Sequence, residues 1–231
     1  MPEAKTPGRN VGAGSVTEKR IVDAALGVLD AEGARALSID AVAQRLGVSA
    51  DAVRAHADDV RVIERAVIEH VLSAVSLGPL TDVGVEWAAA VIQFALSMRG
   101  RLFEHPAVAE LIMSGPMDSP SADGPVARDM NESLFVCLGR GGLQTTIRAR
   151  GVYAVIVYVL GSIALDLAET EGKPPLPPES ERIAVRREAL RDLDPVRWPS
   201  TAAHLEEIAA WSSVDQFVWG LRVLLVGMTA T

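Results

Sequence analysis

Between Ser38 and His56 the chain fits two short apolar-periodic segments around a Gly47-Val48 break, and a serine stands ready to cap each of them. Ile39, Val42, Ala43 and Leu46 fall at i, i+3, i+4 and i+7, which puts them on one face of a short helix opened by Ser38. Gly47 ends that helix, and Ser49 starts another that runs to about His56. Upstream, residues 17–33 read as a helix capped by Thr17, striped by Ile21, Ala25, Val28 and Leu29, and stopped by Gly33. Downstream, Asp58 is placed to cap a longer fourth helix, whose stripe is Ile63, Val67, Val71 and Ala74, with Gly78-Pro79 as its end. Three short helices and a longer fourth, joined by tight turns, describe a helix-turn-helix bundle.

Beyond residue 80 the expected helices lengthen. One covers 82–99, with Trp87, Val91, Phe94 and Met98 on its stripe, and others cover 106–113, 125–138 and 145–170. A Pro- and charge-rich stretch at 172–200 reads as flexible, with room for a short helix at 180–191. Another helix covers 201–210, and a last one starts at Ser212 or Ser213 in a capping-box pattern with Asp215 or Gln216. No window alternates β-branched and polar residues, so the fold class is all-α. The pattern predicts a polar, disordered tail at 1–16, a reader domain at 17–62 and a larger helical domain at 63–231. The apolar run Val152–Leu165 is short for a membrane span and lacks basic flanks. It reads as a helix buried on all sides, so no membrane is expected. One cysteine, Cys137, excludes an internal disulfide framework, and no secretory start is visible. The expected compartment is the cytoplasm.

Two stretches resemble the tetracycline-repressor family. The first helix has the form Ile-x-x-Ala-Ala-x-x-x-Leu, followed by Leu37-Ser38, Val42-Ala43-x-x-Leu46-Gly47-Val48-Ser49 and His56. Near the C-terminus, Asp215-Gln216-Phe217-Val218-Trp219-Gly220-Leu221 through Gly227 is similar to that family's last helix, and Tyr158-Val159-Leu160-Gly161 to its penultimate one. The resemblance implies a homodimer whose two readers enter major grooves of double-stranded operator DNA about one helical turn (~34–36 Å) apart. By position, Ser38 would contact a phosphate, Ser49, Ala50, Asp51 and Val53 would face base edges, and Arg54 and His56 would contact the backbone. The chain departs from the family where Arg54 replaces an aromatic and Val60 replaces a lysine.

Charge bears on that reading. The chain carries a net charge of -8, and residues 17–60 hold five basic against eight acidic side chains. Phosphate contacts supply most non-specific DNA affinity, so such a reader binds with a steep salt dependence. The alternative is a dimeric small-molecule-binding protein of the same fold that has lost strong DNA binding.

The larger domain offers no catalytic constellation. It has no nucleophile-base-acid spacing and no Gly-rich phosphate loop, so no enzyme is expected. His56, His70, His105 and His204 are scattered over different elements, and no metal or cofactor is predicted. What the domain offers is a set of large adaptable residues among small ones. Trp87, Phe94, Met98, Phe103, Met113, Met117, Phe135, Tyr153 and Tyr158, with Gln93 and Asn131 as polar anchors, are the candidates for a mostly apolar effector pocket. Gly161 and Gly220 permit close approach of the penultimate and last helices to a partner copy, with Phe217, Leu221, Leu224 and Met228 at the seam of a four-helix bundle. On this reading Leu221→Arg abolishes dimerisation, which light scattering would report.

Overall fold

The computed structural model describes residues 16–114, 124–169 and 176–230, with helices, turns and loops but no strand among them. The expected tail at 1–16 falls outside these residues except for Val16, and so does Met117. Local chemistry accounts for most helix starts. Helix α1 (Glu18–Glu32) opens where the Thr17 hydroxyl accepts the Arg20 N–H at 3.3 Å, and it closes at Gly33, whose φ of 85° favours glycine. After a single 3₁₀ turn at Ala34–Ala36 come α2 (Ile39–Leu46) and α3 (Ala50–Arg54). Gly47, at φ 69°, lets the Val48 N–H return to the Ala43 carbonyl at 3.1 Å and so sets the turn between them.

Helix α4 (Val60–Ser73) is capped by Asp59, whose carboxylate accepts the Arg61 N–H at 3.1 Å. Asp58, the residue expected there, sits one place too early. A short turn of helix, α5 (Gly78–Thr81), precedes α6 (Trp87–Glu104). The expected start of α6 at 82 is displaced because Glu86 caps it, accepting the N–H groups of Ala88 and Ala89 at 3.0 and 2.8 Å. Then follow α7 (Pro106–Ser114), α8 (Pro125–Arg140) and α9 (Thr145–Glu169). The described part of the Pro-rich stretch holds α10 (Glu179–Ala189). The single helix expected at 201–210 is broken at His204 into α11 (Pro199–Ala203) and α12 (Leu205–Ala209). Ser213 caps α13 (Val214–Thr229), accepting the Gln216 N–H at 3.1 Å.

One continuous apolar core runs from Ile21 to Met228. Helix α4 carries it across the boundary expected at residue 62, packing on α1 on one side and on α6, α7 and α8 on the other. Helix α9 packs on α6, α7, α8 and α13 through Val155, Val159, Ile163 and Leu167, spaced four apart. It is not buried on all sides as the sequence suggested. By length and composition Thr145–Ala168 is also long and apolar enough to cross a membrane, and only 33% of the window is buried within the chain. The open side carries Tyr153, Val157, Gly161 and Leu165.

An ionic cluster lies inside this apolar frame. The Asp166 carboxylate of α9 accepts from Arg99 of α6 at 2.9 Å and from Arg182 of α10 at 2.7 Å, and the three side chains are 3–9% exposed. Burial pushes the Asp166 carboxyl above its usual value, against the pull of Arg182 and Arg99. Burial likewise holds the Arg99 guanidinium below its usual value, against the pull of Asp166. The pairing anchors α10, which has no buried apolar residue of its own, to the bundle.

Two stability predictions follow from these placements. Asp166→Ala leaves two buried guanidiniums without their shared partner and should cost about 3–5 kcal/mol in denaturant unfolding. Leu221, fully buried, faces its own chain's core. Leu221→Arg should therefore abolish the cooperative melt seen by circular dichroism; a folded monomer would contradict this placement.

Candidate functional site

The two short helices α2 and α3 put their polar groups to work on their own backbone first. The Ser38 hydroxyl accepts the Ala41 N–H at 3.1 Å, and the Ser49 hydroxyl accepts the Ala52 N–H at 3.3 Å, each holding a helix start in place. From Ser49 onward the exposed face of α3 presents Asp51 and Arg54, with His56 just beyond it, while Ala50 is half-buried. Val53 does not join them. It is fully buried against the core, so it braces α3 and cannot meet a base edge. Successive α-helical positions turn by about 100°, so a residue two places from Asp51 points inward.

Arg54 is the one cation on α3, and acidic neighbours hold it. Its guanidinium lies 3.0 Å from Asp51 and 4.0 Å from Asp40, with about half of the side chain exposed. Arg45 on α2 lies close over Gly27 of α1, where an added Cβ would come within 2.5 Å of Nε. That close approach explains a glycine inside an otherwise regular helix, a signal visible in sequence but not used. His56 forms part of the wall of a cavity of about 550 Å³ between α1 and α4, lined by Ile63 and Val22 together with Glu18, Asp23 and His70.

The residues expected around an effector divide into three groups. Phe94 and Met98 are buried, Trp87 and Phe103 are half-buried at the edge of the same core, and Phe135 is half-buried. Trp87 lies over Gly141, where an added Cβ would approach the indole to 2.6 Å, and the Cys137 thiol donates to its carbonyl at 3.6 Å. Burial pushes that thiol above its usual value, against the hydrogen bond from Arg140. Phe103 and Phe135 each lie beneath an arginine, Arg99 at 4.3 Å and Arg148 at 5.7 Å. Gln93 and Asn131, expected as polar anchors, are exposed, because each neighbours an inward residue (Phe94, Met130) and is turned away from it. Met113 and Tyr153 are exposed as well, the latter on the open side of α9. Tyr158 is separate again. Its hydroxyl donates to the Phe217 carbonyl at 2.9 Å and its ring stacks on Phe217 at 5.3 Å.

The residues expected at a dimer seam also divide. Phe217, Leu221 and Met228 are buried against their own chain, and Leu224 is half-buried. Gly220 makes room for the Tyr158 phenol within the chain and not for a partner. At Gly161 and Gly227, by contrast, an added Cβ meets nothing within 4 Å. The outward face of α13 is the one the stripe missed. It carries Trp219 at 61%, Val223 at 52% and Val226 at 68% exposed, and α9 in turn leaves Tyr153, Val157 and Leu165 exposed. The missed signal was the second apolar stripe of α13, offset from Phe217 by half a helical turn.

Polar ties link α1 and α4 to the helices that follow them. The Glu69 carboxylate of α4 accepts the Val126 N–H in the first turn of α8 at 3.0 Å. Asp30 of α1 meets His105 Nδ1, at the junction of α6 and α7, at 3.0 Å. No grouping of His, Cys, Asp and Glu among the described residues has the makings of a metal site.

Comparison with known proteins places this geometry. The family description "Tetracyclin repressor-like, C-terminal domain" matches residues 79–231. An HTH-type transcriptional regulator of Saccharopolyspora erythraea is 30% identical over 152 residues, a match spanning 65% of this chain and 61% of that relative's length. Among solved structures, the transcriptional regulator SCO7222, a TetR from Streptomyces coelicolor, superposes with a TM-score of 0.75 at 26% identity, covering 93% of this chain and 98% of that one. ActR of Streptomyces coelicolor, solved in complex with actinorhodin, shares the fold with a TM-score of 0.76 at 24% identity, over 94% and 98% of the two chains. Because the family match takes in all of α6 to α13 and the fold extends it through α1 to α4, the chain belongs to the tetracycline-repressor-like family.

Proposed function

We propose that the protein is a homodimeric, ligand-responsive DNA-binding transcriptional regulator of the cytoplasm, a repressor released from operator DNA by a small, mostly apolar effector. The observation that carries this is the α2–Gly47–α3 unit. Its two capped helices leave Ser49, Asp51, Arg54 and His56 exposed among the described residues. In this motif the second helix reads the major groove, and backbone contacts set its register. Ser38, half-buried at the start of α2, retains a hydroxyl lone pair for a phosphate while capping. Residues 17–62 would form the reader and 63–231 the sensing and dimerisation unit, with α4 belonging to both.

A second copy is the natural cover for the open α9 and α13 faces. Exposed valines, tryptophan and tyrosine at helical spacing are costly to leave in water, and two such faces make a four-helix bundle. Gly161 and Gly227 allow the helices to approach closely. Effector control fits the Glu69 and Asp30 ties, since a ligand that prefers one placement of α4 or α1 prefers one spacing of the two readers.

One observation favours a second reading. The Arg54 charge is already shared with Asp51 and Asp40, which weakens its pull on phosphate. A chain of this kind would keep the dimer and the effector site and lose strong operator binding.

Titration of the full chain with duplex DNA from the promoter beside its own gene separates the two. Binding at low salt is expected. Arg54→Ala should weaken it and lower the salt slope by about one, and Asp51→Asn should strengthen it by releasing Arg54. No binding by either the wild type or Asp51→Asn at low salt would leave the second reading standing. Val223→Glu, placed on the outer face of α13, should give a folded monomer by light scattering; a dimer that survives it removes the proposed seam.

A further inference from the structure

We propose that α10, α11 and α12 form a strap that opens and closes on the helical bundle as one unit, held shut by a small set of polar contacts. The observation behind this is a gap in the apolar core. Among the described residues, no apolar side chain from residue 179 to residue 213 belongs to the continuous core or packs against it. Leu176 is the last to do so before this stretch, and Phe217 the first after it. Ala209, the buried apolar residue of the strap, lies outside that core. The strap coheres internally instead. Helix α10 packs on α12 and α12 on α11, Arg187 pairs with Glu206 at 2.7 Å, and Arg186 donates to the Ala209 carbonyl at 3.1 Å.

Toward the bundle the contacts are of another kind. Arg182 donates to the Asp166 carboxylate of α9 at 2.7 Å, and its guanidinium lies 5.8 Å from the centre of the Phe103 ring of α6. The Glu179 carboxylate accepts the Val214 N–H, in the first turn of α13, at 2.9 Å. Arg186 also reaches the Ser212 hydroxyl, just before that helix, at 3.0 Å. Hydrogen bonds weaken steeply with distance and angle, so a small displacement loses several of them together. Apolar burial resists opening in proportion to the area it would return to water, and α10 has no buried residue to return. Neighbouring α9 and α13 are held by Val155, Val159, Ile163, Leu221 and Leu225, all nearly inaccessible. Segments with few buried apolar contacts open at lower cost than the core around them, which puts the strap below the bundle in local stability.

The closed strap completes a cavity of about 820 Å³. Arg186 of the strap and Trp211 beyond it form one part of the wall, facing Arg99, Tyr158, Leu165 and Phe217 of the bundle. Opening removes the Arg186 part of that wall and returns Asp166 to solvent. Val157, Gly161 and Leu165 line this cavity and also belong to the face proposed for a second copy. Strap movement therefore alters the surface beside that face. The opening itself depends neither on dimerisation nor on DNA.

Hydrogen–deuterium exchange of the full chain without DNA, read by mass spectrometry, tests the strap. Amides of α10 and α12 should exchange at least about tenfold faster than those in the middle of α9 and α13, after correction for intrinsic rates. Arg182→Met leaves Arg99 on Asp166, and it should speed α10 and α12 together by about a further tenfold while α6, α9 and α13 keep their rates. Glu179→Ala, at a second docking point, should act in the same direction on the same two helices, with the cooperative circular dichroism melt retained in both variants. Protection of α10 and α12 equal to that of α9 would overturn the strap. So would faster exchange in α10 with α12 unmoved, which is fraying of one helix, or faster exchange in every helix, which means the segment is part of the bundle's own cooperative unit.

Discussion

Helix α4 is buried on two fronts, and that constraint organises the molecule. Its inward residues Ile63, Val67, Ile68, Val71 and Leu72 are nearly inaccessible to water, and the helix packs on α1 as well as on α6, α7 and α8. A close-packed interior does not deform continuously, so a shift of α4 must move neighbours on both sides or none. Helices α1 to α4 have no separate core of their own to retreat to. The Glu69 tie to α8 and the Asp30 tie to His105 add directional contacts to this shared burial. They give a change in the larger domain two defined routes to α1 and α4.

The ionic cluster around Asp166 solves a different problem. Helix α10 is rich in charge and buries no apolar side chain, so apolar burial cannot dock it. Placing Arg182 against a carboxylate on α9 docks it instead, at the desolvation cost that burying ions always carries.

Helix starts and stops were readable from the chain because their causes are local. Thr17, Ser38, Ser49 and Ser213 each accept an N–H three residues further on, and Gly33 and Gly47 adopt positive φ, as their side chains or lack of one dictate. The two misplaced starts have equally local causes. Asp59 competes with Asp58 for the same cap, and Glu86 stops the apolar stripe of α6 from extending back to residue 82. The direction in which residues face was harder to read. Val53 looked like part of a reading face, and Gln93 and Asn131 like anchors, because spacing within one helix does not say which neighbour covers which side. On α9 and α13, apolar residues occur all round, so periodicity alone could not separate the stripe that packs inward from the stripe left open.

The sequence by itself determined the helical class, the order of the main elements, the paired short helices and their acidic character, since each follows from the period, caps and charge of contiguous residues. Tertiary structure alone decided that Leu221 and Phe217 belong to the chain's own core while Trp219 and Val223 face out, because burial depends on which helix lies alongside. It also decided that Arg99, Asp166 and Arg182, widely separated along the chain, meet in one cluster. Contacts between distant segments leave no local pattern in a single sequence, and only the packing of α6, α9 and α10 brings those charges within hydrogen-bonding reach.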